Sequence, residues 1–243
     1  MFSLLLLLLL NAAQAAAPPR VMLWAWETPA DLRFLRPHQA GVAFLAGTFR
    51  LEGDHVRVRP RMNRLRVAPG VFLMATMRIE TSKVKVPSYS GGQRRELSES
   101  IHDIVKATGV PAVQLDFDAP NQARAFYQAL IPELRAQLGR RTFLSVTALA
   151  SWCEAGDWLD RLGADEVVPM LFRMGPAGPA IRARLQESGH LAVPVCRSSV
   201  GLDPDEPGST VMAKRYQRVY LFVDLRHWDA QGIERILKEV APQ

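Results

Sequence analysis

The sequence is poor in the residues that build metal and redox sites. It has two cysteines, Cys153 and Cys196, and five histidines among its 243 residues. The cysteines are too far apart for a CxxC motif, and the histidines form neither an HxH nor an HExxH pattern. Neither a glycine-rich phosphate loop nor a G-x-S-x-G nucleophile elbow is present. We therefore expect no metal and no cofactor.

Long apolar runs are also missing, except at the start of the chain. Residues 4–10 are an unbroken leucine run, and the alanine-rich stretch after it contains A-x-A sequences at 13–15 and 15–17. An apolar core of about 7–15 residues before such a site is typical of a cleaved export signal, and it is shorter than the roughly 20 residues of a membrane span. We predict a signal peptide over residues 1–17 and a single domain over 18–243. The protein is then exported, periplasmic or in the cell envelope, with no stable membrane span after cleavage.

The positive charge is concentrated in one short stretch. The formal net charge is +6, and residues 50–66 hold six arginines against Glu52 and Asp54. This stretch could bind lipid phosphates, polyanionic sugars or nucleic acid, or it could be a solvated hairpin whose edge is protected by charge. No aromatic residue lies between the arginines to stack on bases. We therefore favour the hairpin, and we expect no nucleic-acid partner.

Apolar segments of strand length alternate with amphipathic helical segments. The eight predicted strands are residues 21–26, 41–48, 71–80, 112–118, 142–149, 166–172, 192–196 and 219–224. Helices are predicted over 94–108, 121–138, 177–188 and 229–240, with Pro132 kinking or breaking the second, and a short one around 155–162. Eight strands with helical crossovers favour an α/β fold, a small (β/α)8 barrel of TIM type. Residues 48–59, with Gly53-Asp54 at the centre, predict a β-hairpin insertion after the second strand.

Alternation along each strand predicts which side chains face the barrel interior. Val113, Leu115 and Phe117 should face the helices, so that Gln114 and Asp116 point inward and Asp118 follows on the same side. Because barrel sites lie at the C-terminal ends of the strands, we expect one acidic, aromatic-lined cleft there. The catalytic candidates are Asp116, Asp118 and Glu80. The substrate-binding candidates are Trp24, Trp26, Arg78, Gln114, Trp152, Met170, Phe172 and Asp224.

Two carboxyl groups flanking a glycosidic bond are the common device of glycoside hydrolysis, and the general acid needs a raised pKa. The tryptophans could serve as platforms for sugar rings, although we expect one of the three to be ordinary core. The alternative is a structural layer of buried ion pairs, in which Arg78 bridges Asp116 and Glu80.

The fourth-strand sequence Val113-Gln114-Leu115-Asp116-Phe117-Asp118 resembles that of family-18 chitinase-like barrels. Pro169-Met170-Leu171-Phe172 is similar to their sixth-strand Met-x-Tyr. Their catalytic glutamate, however, corresponds to Pro120, so the resemblance carries over only the supporting aspartates. A second resemblance covers most of the chain and is to an exported bacterial family classed as a domain of unknown function. It rests on residues 24–27, 114–120, 145–149 and 165–170, and it implies a glycosidase-like barrel in the cell envelope without an established reaction.

Two main functions remain open at this point. The chain could be an envelope enzyme that hydrolyses a saccharide, or a carbohydrate-binding protein that has lost hydrolysis. Pro120 favours the second function and the inward Glu80 favours the first. A third class is a structural envelope protein that contacts lipid phosphates through residues 57–66.

Because an even cysteine count in an oxidising compartment permits a bridge, we predict a disulfide between Cys153 and Cys196, with two buried free thiols as the alternative.

Overall fold

A computed structural model describes residues 15–117, 120–154, 158–223 and 228–241. The strands are β1 (Val21–Ala25), β2 (Ala30–Leu32), β3 (Gly41–Glu52), β4 (His55–Pro60), β5 (Leu65–Val67), β6 (Leu73–Thr81), β7 (Ala112–Phe117), β8 (Phe143–Leu149), β9 (Glu166–Met170), β10 (Ser199–Leu202) and β11 (Arg218–Leu221). The α-helices are α1 (Gly91–Thr108), α2 (Arg124–Leu138), α3 (Gly178–Ser188), α4 (Ser209–Ala213) and α5 (Ala230–Glu239). Residues 1–14 of the predicted signal peptide lie outside the described part.

Eight parallel strands close into a barrel, which confirms the predicted fold. The ring runs β1-β11-β10-β9-β8-β7-β6-β3, and the parallel pairing of β1 with β3 closes it. Helices follow β6, β7, β9, β10 and β11. Strand β4 pairs antiparallel with β3 outside the ring, and β2 and β5 form a small separate sheet. The predicted hairpin is therefore the continuation of a barrel strand.

Two apolar layers hold the barrel together, one inside the ring and one between the ring and the helices. The inner layer includes Met22, Trp24, Met74 and Tyr220, all of which are buried. The outer layer receives the apolar faces of the helices, and α1 contributes Leu97, Ile101 and Val105 at helical spacing. This division follows directly from the alternation of side chains along the strands.

Strand β3 contains a bulge that sets the direction of its second half. Its pairing with β6 shifts between Leu45 and Gly47, so Ala46 is the extra residue. Beyond the bulge, Thr48 pairs with Arg78 and Arg50 pairs with Glu80. Because paired residues point to the same side of a sheet, the polar side chains in this half of β3 continue the inner face of the barrel.

Two predicted elements differ in the structure. The seventh strand was expected at residues 192–196, but Pro194–Arg197 is a 3-10 helix and the strand is β10. Pro194 has no N–H to donate to a neighbouring strand, so this apolar run is a poor central strand. Pro132 neither breaks nor ends α2. Its position is exposed, and the buried Leu130, Ile131 and Leu134 anchor the helix on both sides of it.

A disulfide joins Cys153, at the end of a 3-10 helix after β8, to Cys196 in the 3-10 helix before β10, with 6.0 Å between their Cα atoms. Both residues are fully buried in the outer apolar layer.

The helix expected around 155–162 is reduced to a 3-10 turn at Leu159–Arg161, and residues 155–157 lie outside the described part. Among the described residues no helix has both the length and the apolar character needed to cross a membrane.

Candidate functional site

A cleft of about 430 Å³ opens at the C-terminal ends of the barrel strands. This is the end of the fold at which barrel enzymes and binding proteins place their sites. The residues that line it are Trp24, Trp26, Arg78, Asp116, Thr147, Leu149, Ala150, Ser151, Met170, Phe172, Arg173, Met174, Ala177, Ile181 and Phe222. They come from at least five different strands or the loops that follow them, so the cleft depends on barrel closure.

One side of the cleft is aromatic. Phe172 and Phe222 stack with their ring centroids 5.4 Å apart. Trp24 lies 6.0 Å from Phe172, and Trp26 lies 6.2 Å from Phe222, in the tilted and edge-on arrangements that aromatic pairs favour. The four rings form a connected wall. Strand β1 carries Trp24 and leads to Trp26, and its neighbour in the ring, β11, leads to Phe222.

The other side of the cleft is centred on Asp116, which is 5% exposed. Thr147 Oγ1 donates a hydrogen bond of 2.9 Å to Asp116 Oδ1, and Arg78 Nη1 lies 3.4 Å from Asp116 Oδ2. The Arg78 guanidinium also lies over the Trp26 ring, 5.6 Å from its centroid. Arg78 therefore links the carboxylate to the aromatic wall.

Cations outnumber anions among the described residues of the lining. Its charged members there are Arg78, Arg173 and Asp116. The guanidinium of Arg173 lies 4.8 Å from the Phe222 centroid, and its Nη2 is 3.7 Å from Asp203 Oδ2. Both guanidinium groups can reach a ligand that rests on the aromatic wall.

Glu80 lies next to the cleft in an adjoining depression and contacts two arginines. Arg78 Nε donates to it at 3.0 Å and Arg50 Nη2 at 3.2 Å. Partial burial raises the pKa of the Glu80 carboxyl, but the hydrogen bonds and positive charges of Arg50 and Arg78 outweigh this effect, so its pKa lies below the usual range. Glu80 is therefore ionised at neutral pH and has no proton to donate.

A buried hydrogen-bond network supports the cleft floor. Trp24 Nε1 donates to Gln114 Oε1 at 2.6 Å, and Gln114 Nε2 donates to Ser145 Oγ at 3.1 Å. Ser145 Oγ donates to Glu166, which also accepts from Tyr220 Oη at 2.6 Å. Burial raises the pKa of Tyr220, and the negative charge of Glu166 raises it further. The network ends at Arg218, whose Nη1 lies 2.6 Å from Glu166 Oε1.

The structure sorts the predicted site residues into four groups. Trp24, Trp26, Arg78, Asp116, Met170 and Phe172 line the cleft, Gln114 lies beneath it, and Glu80 lies beside it. The expectation that Trp152 faces the cleft is wrong, because its ring is buried in the outer layer against Tyr127 and Trp158. Asp118 and Asp224 lie outside the described residues.

Nine of the described lining residues lie outside the predicted set, and three of them, Thr147, Arg173 and Phe222, contact the aromatic wall or Asp116. Alternation along the fifth and eighth predicted strands already places Thr147 and Phe222 inside the barrel. Arg173 lies in the loop after β9 and adopts a φ of 49°, and no sequence pattern marks it. The sequence analysis did not predict the Glu166 network. Glu166 is an even number of residues from Met170 and Phe172, so strand alternation would have placed it on the same inner face.

The described residues contain no group of three or more His, Cys, Asp and Glu side chains that could hold a metal ion. Asp116 and Glu80 both contact Arg78, whose positive charge opposes a cation at that position. The absence of a metal or cofactor stays a prediction.

Comparison with solved structures places the fold among glycosidase barrels. A Streptomyces coelicolor protein assigned as chitinase A superposes with a TM-score of 0.61 at 10% identity, covering 91% of this chain and 97% of its own. A family-18 chitinase from Chromobacterium violaceum gives 0.60 at 10% identity, covering 92% and 83%. A chitinase from Rhizomucor miehei gives 0.57 at 9% identity, covering 91% and 100%.

The chain shares the fold of these chitinase barrels. The predicted resemblance to family-18 chitinase-like barrels is confirmed at this level, and identities near 10% carry the fold alone. No family model and no curated protein matches the sequence.

Proposed function

We propose that this protein binds a saccharide in the aromatic cleft and is a glycosidase-like barrel that does not hydrolyse it by the chitinase route. The observation that carries the proposal is the wall of Trp24, Trp26, Phe172 and Phe222 facing Asp116 and Arg78. Sugar rings combine apolar C–H faces with polar edges, so an aromatic surface opposite a carboxylate and a guanidinium complements both.

Binding is favoured over cleavage by the state of the described carboxylates. A general acid must hold a proton at the working pH. Glu80 is held ionised by Arg50 and Arg78, and Asp116 accepts hydrogen bonds from Thr147 and Arg78. The resemblance to family-18 chitinase-like barrels places Pro120 where those proteins have their catalytic glutamate.

A second candidate function is hydrolysis with Asp118 as the general acid. It is supported by the burial of Asp116 at the cleft and by the sequence expectation that Asp118, two residues further along, continues the same face, for which the rise of an ideal strand gives a Cα spacing of about 6.5–7 Å. Repulsion between the two carboxylates would raise the pKa of one of them. In this scheme Asp118 would donate the proton to the leaving group and Asp116 would position Asp118.

Export to the periplasm or cell envelope is part of the proposal. It is supported by the leucine run and A-x-A sequences of residues 1–17 and by the Cys153–Cys196 bridge, because disulfides persist in oxidising compartments. The saccharide would then be a glycan of the cell envelope.

The test is a panel of envelope oligosaccharides, measured by thermal shift and by release of reducing ends. We expect at least one glycan to raise the melting temperature without turnover. Trp26→Ala should weaken its binding about tenfold. Phe34→Ala is the matched control, because Phe34 is a half-buried aromatic that lies against α5, away from the cleft.

Three outcomes decide between the candidates. Turnover that disappears in Asp118→Asn, with the melting temperature unchanged, would establish the hydrolytic candidate. Equal losses of binding in Trp26→Ala and Phe34→Ala would remove the cleft from the proposal. A panel in which no glycan shifts the melting temperature would overturn saccharide binding.

A further inference from the structure

The cationic residues of the hairpin continue the lining of the cleft. Arg78 pairs with Asp116 on one side and with Thr48 on the other, and Arg50 is the next inward residue of β3. Across the hairpin, Arg50 is opposite Arg57 and Thr48 is opposite Arg59. Since paired residues share a face, Arg78, Arg50, Arg57 and Arg59 lie on one face in two adjacent cross-strand rows, Arg78–Thr48–Arg59 and Glu80–Arg50–Arg57, and are here named the arginine strip.

The strip does not stabilise the hairpin. Like charges placed directly opposite on neighbouring strands are destabilising, and Arg50 and Arg57 are such a pair. The surrounding acids only partly compensate: Glu80 pairs with Arg50, Glu52 with Arg57 at 3.6 Å, and no described carboxylate forms an ion pair with Arg59. Arg57 is 71% exposed, so solvent or a ligand reaches it freely.

Other arginines of the same basic stretch have structural partners instead. Arg61 donates to the backbone oxygens of Ala25 and Trp26 at 3.0 and 2.5 Å, and also to Thr28 O. It thereby fixes the segment that carries Trp26. Arg66 lies 3.7 Å from Asp31. The basic stretch therefore divides into arginines that contact neighbouring backbone or carboxylate groups, such as Arg61 and Arg66, and the arginines of the strip, of which Arg57 is largely exposed to solvent.

The strip borders a concave surface that joins the cleft. A depression of about 510 Å³ is lined by Arg50, Arg78, Glu80, Lys83 and further residues of the β6 end, and it shares Arg78 and Asp116 with the cleft. The depression therefore leads from Arg78 to Arg50, and Arg57 lies opposite Arg50 on the neighbouring strand of the hairpin.

We propose that the bound saccharide is anionic, with carboxylate or other acidic groups on the part that runs from the cleft along the arginine strip. This inference rests on the proposed saccharide binding and narrows its substrate class. The cleft lining adds Arg78 and Arg173, whose charges are partly compensated by Asp116 and Glu80 and by Asp203, respectively. Guanidinium groups bind carboxylates in paired hydrogen bonds, which makes arginine suited to recognising a series of acidic sugars.

An anionic glycan fits better than a membrane or nucleic acid. The strip runs out of a concave cleft, whereas a bilayer needs an open surface, and no aromatic side chain alternates with its arginines to stack on bases. The loop after β6 nevertheless exposes Val84 and Val86 beside Lys83 and Lys85. Anionic vesicles and an oligonucleotide are therefore included in the test.

The test uses matched neutral and acidic hexasaccharides of the same backbone. One pair is the β-1,4-linked N-acetylglucosamine oligomer and its form with N-acetylmuramate at alternate positions. A second pair is β-1,4-mannose and β-1,4-mannuronate oligomers. Affinities are measured by calorimetry at low and high salt, next to vesicles of equal parts phosphatidylcholine and phosphatidylglycerol and a single-stranded oligonucleotide.

The decisive variant is Arg57→Gln with Arg59→Gln, which removes two exposed charges outside the cleft. Its control is Arg140→Gln with Arg141→Gln, which removes the same charge from the loop between α2 and β8, at the opposite end of the barrel. We expect the acidic member of one pair to bind wild type more tightly than the neutral one. The strip variant should lower that acidic affinity about three- to tenfold, and the control should not.

Each outcome separates this inference from the proposed function. If neutral and acidic members bind equally and the strip variant changes neither, the anionic preference is wrong while saccharide binding stands. If no hexasaccharide binds, both are overturned. Binding of vesicles or oligonucleotide that depends on Arg57 and Arg59, without an acidic preference among the sugars, would assign the strip to that other partner. An acidic preference that persists at high salt and in the strip variant would overturn the assignment of that preference to the arginine strip.

Discussion

The indole Nε1 of Trp24 donates a 2.6 Å hydrogen bond to Gln114 Oε1, and this contact ties the wall of the cleft to the interior of the barrel. Both side chains are buried, and they come from strands that are not neighbours in the ring. The bond therefore spans the barrel lumen and fixes the plane of the Trp24 ring against Phe172 and Tyr220. A cleft of stacked rings needs such an anchor, because apolar packing alone does not specify ring orientation.

Gln114→Leu removes this anchor while keeping the side-chain volume similar. The Trp24 N–H and the Ser145 hydroxyl then each lose a partner in a buried site. We expect a loss of about 1–3 kcal/mol in the free energy of unfolding, measured by urea titration followed by tryptophan fluorescence. Gln186→Leu, at an exposed position on α3, is the control. A stability equal to wild type would show that the network does not hold Trp24.

Glu166→Gln tests the lower end of the network. Glu166 accepts from Ser145, Ser199, Tyr220 and Arg218, and its neutral replacement leaves the Arg218 guanidinium without its counter-charge. Removing one partner of a buried ion pair costs about 3–5 kcal/mol. We expect a loss of this size in the unfolding free energy, with Glu187→Gln on the exposed face of α3 as control. A loss no larger than that of the control would mean that solvent reaches Arg218.

Glu80 should make the stability depend on pH. Its pKa is lowered in the folded protein, so its contribution is complete above the unfolded pKa of about 4.3 and is lost as the pH falls through the folded value. Glu80→Gln cannot titrate. We therefore expect the melting temperature of this variant to fall less than that of wild type between about pH 6 and pH 3. Glu99→Gln, exposed on α1, should follow wild type, and parallel curves for all three proteins would contradict the lowered pKa.

The Cys153–Cys196 bridge predicts a thiol count and a stability change. Denatured, unreduced protein should react with no equivalent of a thiol reagent. The bridge closes a sequence separation of 43 residues, and a loop of that length corresponds to about 4 kcal/mol of unfolded-state entropy. Reduction should lower the melting temperature of wild type but not that of a variant with both cysteines changed to serine. Two reactive thiols in wild type would refute the bridge.

Much of the barrel could be predicted because one simple rule governs it. Alternation along β7 separates Val113, Leu115 and Phe117 from Gln114 and Asp116, and the same rule assigns the inner residues of β1, β6, β8, β9 and β11. The register then brings Arg78 beside Asp116. For these residues the alternation of polar and apolar types along the strand directly gives the direction of each side chain.

The errors arose where a side chain's environment depends on distant contacts. Residues 192–196 are apolar enough for a strand, but Pro194 and the bridge at Cys196 place them in a 3-10 helix. Trp152 follows β8 closely enough to reach the cleft, yet the turn directs its ring toward Tyr127. The structural role of Arg61 could not be predicted, because three of its four backbone acceptors lie more than thirty residues away along the chain.

The bulge at Ala46 determines which side chains in the second half of β3 continue the inner face of the barrel. In a strand without this extra residue, side chains would alternate regularly from Leu45 and keep the same pairs, Thr48 with Arg78 and Arg50 with Glu80. If Ala46 were instead paired as an ordinary strand residue, the register would shift by one, Phe49 and Leu51, now fully buried, would leave the apolar layer, and Arg50 would be driven into it. The bulged conformation at Ala46 is consequently a more stringent constraint on this protein than the identity of any one of its arginines.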